Sequence, residues 1–537
     1  MSTRDNLSDN FINVRSYGAV GNGTTDDTEA VKNAFNVAAV TGKPLYIPKG
    51  EYLVGWGQIV TNITANGIRI LGDGMFSSII KMKTDHNNGA FGNGVILKNL
   101  TNASITPDVS ISNISIRWDG NAELSQTDLQ SRLLGIYGYF GKVYVDNCYF
   151  HLSGVEGLMP PDCCVFIQLG AEIISFKDCI FENFTNRQIG GGLWIMPDGA
   201  PDSNGVITHY EIKQIIVKNN EFRTSNQDEA LTLYPTYSNN NPSHCLRDVL
   251  IDGNTFRHKN WINPNANPHK TQGMLTVFVY NNSAPVVEGN IVISNNILES
   301  DYADQELIRV VGFTGVDIVG NHITVNKTSL TDPKDQALRA IYFGRDTKGT
   351  VRDNYLDYSK ITTFEVKLSI HQTAQALWKN NVIITGYHFG ISPSASSVVA
   401  FEGNTVYPLN NSKFIIRKNN ADSRLFVYNN IVYGNTFLNH LYGSNFIVKG
   451  NHFNADTGTD NSYSVPTKNN STGSLDYQMN DGVILMFMDT NVLTKIPSFK
   501  YTGKRSDLKF FANGAWVQDS PSVRALFFDS CDITYLG

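Results

Sequence analysis

Charge is scarce in this chain. Asp, Glu, Lys and Arg make up 17% of 537 residues, the formal net charge is -6 and the sequence pI is near 6.0. A nucleic-acid partner calls for a basic face, so that class is excluded. No apolar run reaches the ~18 residues needed to cross a membrane as a helix. The opening residues Met1 to Asn6 are polar, so neither membrane insertion nor a signal peptide is expected. Cysteine is sparse too: Cys148, Cys163, Cys164, Cys179, Cys245 and Cys531, with no Cys-x-x-Cys pair and no Cys/His zinc spacing. Free thiols, no metal and no cofactor are the expectation. Long helical periodicity is absent beyond residue 54, and Asn, Gly and Thr fill the space, as turn-rich β proteins require.

What the chain has instead is a short phrase that returns. It reads Val217-Lys-Asn-Asn220-Glu-Phe222, then recurs around Asn254, Asn296, Asn321, Asn354, Asn381, Asn404, Asn430 and Asn451. Cys148 and Cys179 hold the Asn position in two earlier copies, and Ile111 to Ile116 is a weaker one. From Cys148 to Asn451 the intervals run from 21 to 42 residues. Each copy is an apolar strand end, a Gly, Asn or Asp, the Asn, a polar residue and another apolar one. Gly and Asn tolerate the left-handed backbone of a sharp corner. Asn side chains in one column can hydrogen-bond along a stack, and Cys is small enough to share the column as a structural residue. Coils of about 20–45 residues built from short strands and tight corners describe an all-β solenoid rather than a propeller, whose blades would be more equal.

The chain divides into four parts. Residues 1–54 form an N-terminal entry and helix cap, 55–455 the solenoid, 456–480 a polar linker, and 481–537 a small C-terminal β module that caps the helix or joins subunits. Within the first part, Phe11 to Val14 is a strand, Tyr17 to Thr25 is a glycine-rich loop, and Asp26 caps a helix with Glu29 three residues on. The helix presents Ala30, Val31, Ala34, Phe35 and Ala38 on one face, suited to covering the open end of the first coil. Gly18-Ala-Val-Gly21-Asn-Gly23 is near a phosphate-binding pattern. It lacks the Lys-Ser/Thr ending, and Asp26 and Asp27 would repel a phosphate.

Phe11 to Val31, with its Tyr-Gly-Ala-Val-Gly-Asn-Gly-Thr-Thr-Asp-Asp core, and Leu45-Tyr-Ile-Pro-Lys-Gly-Glu-Tyr52 together resemble the opening of pectin-lyase-like right-handed parallel β-helix proteins. They are most similar to those of bacteriophage tailspikes and capsule depolymerases. With the repeats, the resemblance covers roughly residues 11–455. It implies a three-sheet parallel β-helix and a homotrimer in a phage virion tail. It also implies other tail proteins as partners and a bacterial capsular or O-antigen polysaccharide as target. Release by lysis would suit the absence of a signal peptide.

Insertions in solenoids gather on one face, and binding sites gather with them. The long intervals carry Arg187, Trp194, Arg257, His258 and Trp261, and Tyr234 and Tyr237 lie between them. Aromatic faces stack on sugar rings and cations pair with acidic sugars. Ordinary loop packing explains any one of these residues, so the group carries more weight than its members. Glycosidic hydrolysis commonly uses two carboxyl groups. Glu229 follows Asn220 by nine positions and Glu306 follows Asn296 by ten, each opening an apolar strand after a variable loop. They rank first as the catalytic pair, with Asp228 and Asp304 next. The rival chemistry is β-elimination from a uronic acid, for which Arg309, Arg339 and Lys367, with Tyr342 and His371, supply cations and proton-transfer groups. Polygalacturonase, lyase and epimerase signature strings are not evident, so pectin itself is a poor substrate guess. A third possibility is a receptor-binding β-helix adhesin without turnover, since solenoid faces bind long polymers without cutting them.

Overall fold

The computed structural model of the protein describes residues 10–83, 93–99, 106–119, 132–153, 163–184, 191–197, 212–224, 230–233, 246–259, 274–278, 287–301, 306–326, 337–371, 373–410, 412–418, 422–440, 446–454, 474–481, 484–487, 498–503, 505, 508–512 and 515–536. They fall into two compact units, Met1–Glu299 and Ser300–Gly537. Each unit is built from coils of a right-handed parallel β-helix, almost wholly β.

In the first unit one coil is the trio Ile212–Lys218, Glu221–Thr224 and Leu231–Leu233, and the next is Leu246–Asp252, Thr255–His258 and Leu275–Phe278. Each strand pairs in parallel and in register with its counterpart one coil on: Val217 with Ile251, Phe222 with Phe256, Leu231 with Leu275. The coil therefore has three faces, called here the first, second and third in chain order. In the second unit Lys348–Arg352, Tyr355–Tyr358 and Glu365–Ile370 repeat as Gln375–Lys379, Val382–Thr385 and Phe389–Pro393. Alternation along each strand sends apolar side chains inward. Phe181, Phe222 and Phe256 stack there, ring centroids 4.7 Å apart at each step.

The recurring phrase is the corner between the first and second faces. The residue before the column takes the left-handed turn: Asn219 at φ 55°, Gly253 at 67°, Asn380 at 55°, Gly403 at 64°. The column Asn then points inward, fully buried. Asn220 donates from its backbone N–H and its Nδ2 to Oδ1 of Asn254, at 2.9 and 3.0 Å, and Asn254 does the same to Asn296. In the second unit the same pair of bonds joins Asn354 to Asn381, Asn381 to Asn404, Asn404 to Asn430 and Asn430 to Asn451. Each Nδ2 also donates to a strand carbonyl one coil back, as Asn381 does to Val351 O at 2.8 Å. Every polar atom of a buried amide is thus paired, which makes a polar residue tolerable in the core. Cys148 and Cys179 fill the same column, both buried, their thiols directed at the carbonyls of Ile111 and Val145.

At the N-terminal end the helix spans Thr28–Thr41 and buries Val31, Ala34, Phe35, Ala38 and Ala39 against the strand Ile59–Asn62. The cap differs from the sequence expectation. Asp27 occupies the cap position, and its side chain makes no capping bond. Its carboxylate instead accepts the N–H groups of Val20 and Gly21, at 2.7 and 3.0 Å. Asp26 accepts from Thr28 and pairs with Lys83 at 2.6 Å. The glycine-rich loop therefore spends these two donors on its own aspartate. Gly21 is required there: its φ is 68°, and a Cβ would lie 2.7 Å from the Tyr52 ring.

Near the C-terminus Ser474–Asp481, which begins inside the stretch read as a linker, pairs in parallel with Phe446–Asn454, and Ser498–Gly503 and Cys531–Tyr535 follow in the same way. Ile484–Phe487, Leu508–Ala512 and Ala515–Val517 form a separate three-stranded sheet. Phe510 is fully buried there, 5.1 Å from Phe527 between ring centroids, so it is a packing residue. Among the described residues no helix is long and apolar enough to cross a membrane.

Candidate functional site

In the second unit, Glu306 sits just before the strand Ile308–Val311 on the third face. Register places Arg309 beside Tyr342 of the next coil, and Tyr342 beside Ser369 of the one after. Inward Ile308 and Val310 leave Arg309 facing outward. Arg339 Nη1 approaches Glu306 Oε1 at 3.5 Å. The guanidinium carbons of Arg339 and Arg309 lie 5.6 and 6.0 Å from the Tyr342 ring centre. The Glu306 side chain is only 11% exposed. Burial pushes its carboxyl above the ordinary range, and the charges of Arg309 and Arg339 only partly offset this. Burial, with the nearby Glu306 charge, also raises the Tyr342 phenol. Lys367 lies half-buried on the same face, in register with Gly390. The structure thus brings together Glu306, Arg309, Arg339 and Tyr342: a carboxyl inclined to hold its proton, two cations and a phenol.

The first unit has a different arrangement. On its second face a row of charges runs from coil to coil. Glu51 bonds Lys81 and Arg117, at 2.7 and 3.2 Å, and Arg117 pairs with Asp119 at 3.1 Å. His151 bridges Asp119 and Glu182, at 3.4 and 2.8 Å. Arg223 joins Glu182 to Glu221, and Arg257 joins Glu221 to Glu299. Tyr149 also donates to Glu182. Burial pushes the Glu182 carboxyl up, but bonds from His151, Tyr149 and Arg223 outweigh it and hold it below its usual range. Burial and the bond to Glu182 in turn raise the Tyr149 phenol far above its ordinary value.

The remaining expected site residues divide as follows. Arg257 is committed to Glu221 and Glu299 in this row. His258 is 3% exposed, in the inward register of Phe256, and does not face a ligand on the outer surface. Trp194 lies on the outer side of the third face, in register with Phe166 before it and Thr232 after it. Arg187, Asp228, Glu229, Tyr234, Tyr237, Trp261 and Asp304 lie outside the described residues. Sequence reasoning missed Tyr149, His151, Glu182 and Arg223, although a signal was present. The third residue after each column position reads Arg117, His151, Glu182, Arg223, Arg257, Glu299. No group of three or more His, Cys, Asp or Glu suited to a metal occurs among the described residues.

Parallel coils, a buried amide column at one corner and polar groups on the outer faces define a right-handed parallel β-helix. Residues 11–246 match the family model described as rhamnogalacturonase A/epimerase, pectate lyase-like. Among curated proteins, the chain is 32% identical over 127 residues to alginate lyase 7 of Azotobacter vinelandii, covering 23% of this chain and 14% of that one. It is 21% identical over 475 residues to plasmin and fibronectin-binding protein A of Streptococcus pneumoniae, 78% of this chain and 60% of that one. It is 40% identical over 67 residues to the pre-neck appendage protein of Bacillus phage B103, 12% of this chain and 7% of that one. Each match therefore spans less than two thirds of the relative's length.

Proposed function

We propose that the protein is a phage tailspike-type depolymerase that binds and cleaves an acidic bacterial surface polysaccharide, with Glu306 as the acid of glycosidic hydrolysis. The observation that carries this reading is the Glu306 carboxyl, nearly buried, raised in pKa and set beside Arg309 and Arg339. A proton held at that carboxyl can pass to a glycosidic oxygen as the bond breaks. The two guanidiniums suit an acidic sugar, and Tyr342 offers it a ring and a hydroxyl. A second carboxylate must activate water, and Glu229, Asp228 and Asp304 are the candidates to replace one at a time. The likeness to a phage appendage protein supports the virion tail, and the chain is expected to assemble as a homotrimer with other tail proteins as neighbours.

β-Elimination is the second reading, favoured by the likeness to an alginate lyase and by the same pair of arginines. One experiment separates the outcomes. The protein is incubated with capsules and O-antigens from a panel of hosts, and polymer size, reducing ends and absorbance near 235 nm are followed. New reducing ends without the absorbance establish hydrolysis, and both together establish elimination. Firm binding with no fall in polymer size on any host would replace the depolymerase with an adhesin.

A further inference from the structure

The third face of the first unit carries a buried cation with no counter-ion among the described residues. Arg132 is 8% exposed, and among the described residues no carboxylate pairs with it. Its guanidinium lies 3.6 Å from the centre of the Phe166 ring, and its Nη1 donates to the Tyr137 hydroxyl at 3.2 Å. Asn93 Nδ2 donates to the same hydroxyl at 2.6 Å. Tyr137 thus accepts twice, which leaves its own hydrogen to give. The Tyr137 ring folds back over Gly135, where a Cβ would lie 2.4 Å from it. Tyr137, Phe166 and Trp194 follow one another across successive coils, centroids 5.9 and 6.4 Å apart. Phe166 is buried between partly exposed Tyr137 and Trp194.

Three atoms of this group are buried and have no hydrogen-bond partner among the described residues: Arg132 Nε, Asn93 Oδ1 and Trp194 Nε1. Buried polar atoms are almost always paired, and a buried charge more so. Packing alone gives no reason to gather two unused donors, an unused acceptor and an unneutralised cation beside an aromatic surface. A ligand carrying a negative charge, hydroxyl groups and a flat apolar side gives one.

We propose that Arg132, Asn93, Tyr137, Phe166 and Trp194 form a subsite for one carboxylate-bearing pyranose of the polysaccharide. The sugar's apolar face lies on the Tyr137 and Trp194 rings. Its carboxylate neutralises Arg132 and takes the Tyr137 hydrogen. Its hydroxyls meet Trp194 Nε1 and Asn93 Oδ1. The subsite rests on the polysaccharide reading but on none of the Glu306 chemistry.

The test is calorimetry on the full chain with hexamers of galacturonate, mannuronate and glucuronate, each beside its carboxyl-reduced form. At least one acidic hexamer should bind at least tenfold tighter than its reduced form. Trp194→Ala should weaken that binding tenfold or more, with Trp194→Phe restoring most of it. Arg132→Gln should abolish the preference for the acidic form, and Arg132→Lys should keep part of it. Gly135→Ala, which displaces Tyr137, should act like Trp194→Ala while circular dichroism and hydrogen exchange of the neighbouring coils stay near wild type. Equal binding of acidic and reduced hexamers would overturn the proposal, as would no binding of any probe, or Arg132→Gln and Trp194→Ala binding like wild type. Cleavage of a host polysaccharide without binding of any acidic hexamer would sink the subsite and leave the depolymerase standing. Binding with the expected variant pattern but no cleavage on any host would do the reverse.

Discussion

Replacing Asn381 with Ala would remove one rung of the buried amide column. Its Oδ1 accepts the Asn354 N–H at 3.0 Å and Asn354 Nδ2 at 2.9 Å, and its Nδ2 donates to Val351 O and to Asn404 Oδ1, each at 2.8 Å. With Ala, the Asn354 N–H loses its acceptor in a fully buried place, which costs about 1–3 kcal/mol. Asn354 Nδ2, Val351 O and Asn404 Oδ1 each lose one bond and can keep others, at about 0.5–1 kcal/mol apiece. The sum is about 2.5–6 kcal/mol. A solenoid of this length does not unfold as one two-state unit, so a melting point is a poor gauge. Hydrogen exchange of peptides covering 350–358 reads the local loss directly. Since each 1.4 kcal/mol is tenfold, the Asn354 amide should exchange roughly 10²–10⁴-fold faster. Asn380→Gly is the control. That residue already holds φ 55°, so Gly fits and exchange should change by no more than about threefold. An Asn381→Ala protein whose peptide exchanges less than about tenfold faster would refute the claim that side-chain bonds, rather than the strands alone, fix the corner.

Glu306→Gln should lower turnover on a cleaved polysaccharide by about 10²–10⁴-fold while leaving binding in place, measured as single-turnover rate against calorimetric affinity. Because burial raises the Glu306 carboxyl, the folded state holds its proton more tightly than the unfolded chain. Activity should therefore fall as pH rises through the raised value. The group's effect on stability should be unfavourable above that value and fade as pH drops to the ordinary carboxylate range, and Glu306→Gln should flatten that slope. Glu182 runs the other way: held below its usual range, it stabilises the fold above the unfolded value, and the effect is lost as pH falls through the lowered one. Glu182→Gln should cost toward the lower end of ~3–5 kcal/mol near neutrality, seen as early local exchange around 149–153 that no longer depends on acid. Light scattering should give a trimer at micromolar concentration, and a monomer mass would remove that expectation.

Much of the fold was written in the corners. A Gly, Asn or Asp that must turn left, followed by a small or amide residue that must be buried, leaves so few alternatives that the phrase located the first-to-second-face corners from Ile114 to Asn451, though not those of the first two coils. The helix over Thr28–Thr41 was legible from its apolar spacing. Its cap was not, because Asp26 and Asp27 are equivalent by type, and only the folded loop shows which carboxylate its N–H groups take. Of the site, Glu306 was picked out because it is a carboxylate just before an apolar run, which the structure shows as the strand Ile308–Val311. Its neighbours Arg309 and Tyr342 meet through register across coils of unequal length, which a linear reading follows poorly. The row through His151 and Glu182 was visible by counting three from the column, but a search for loops and aromatics looked past short strands. Arg132 carried no mark at all: a lone arginine before an apolar strand becomes unusual only when it is seen buried without a carboxylate.

The amide column has a direction. In each Asn-to-Asn rung described within either unit the earlier coil donates and the later coil accepts, through both the backbone N–H and Nδ2. The aligned amide dipoles reinforce one another as in any chain of hydrogen bonds. A nascent chain that has closed one coil therefore presents two unsatisfied donors at its leading end, and the next Asn to arrive satisfies both at once. Synthesis runs the same way. Growth from the ribosome would proceed as templated addition in which each coil is selected by a donor pair already in place. A chain interrupted between two rungs would end in a reactive seam, open to any strand that brings an acceptor.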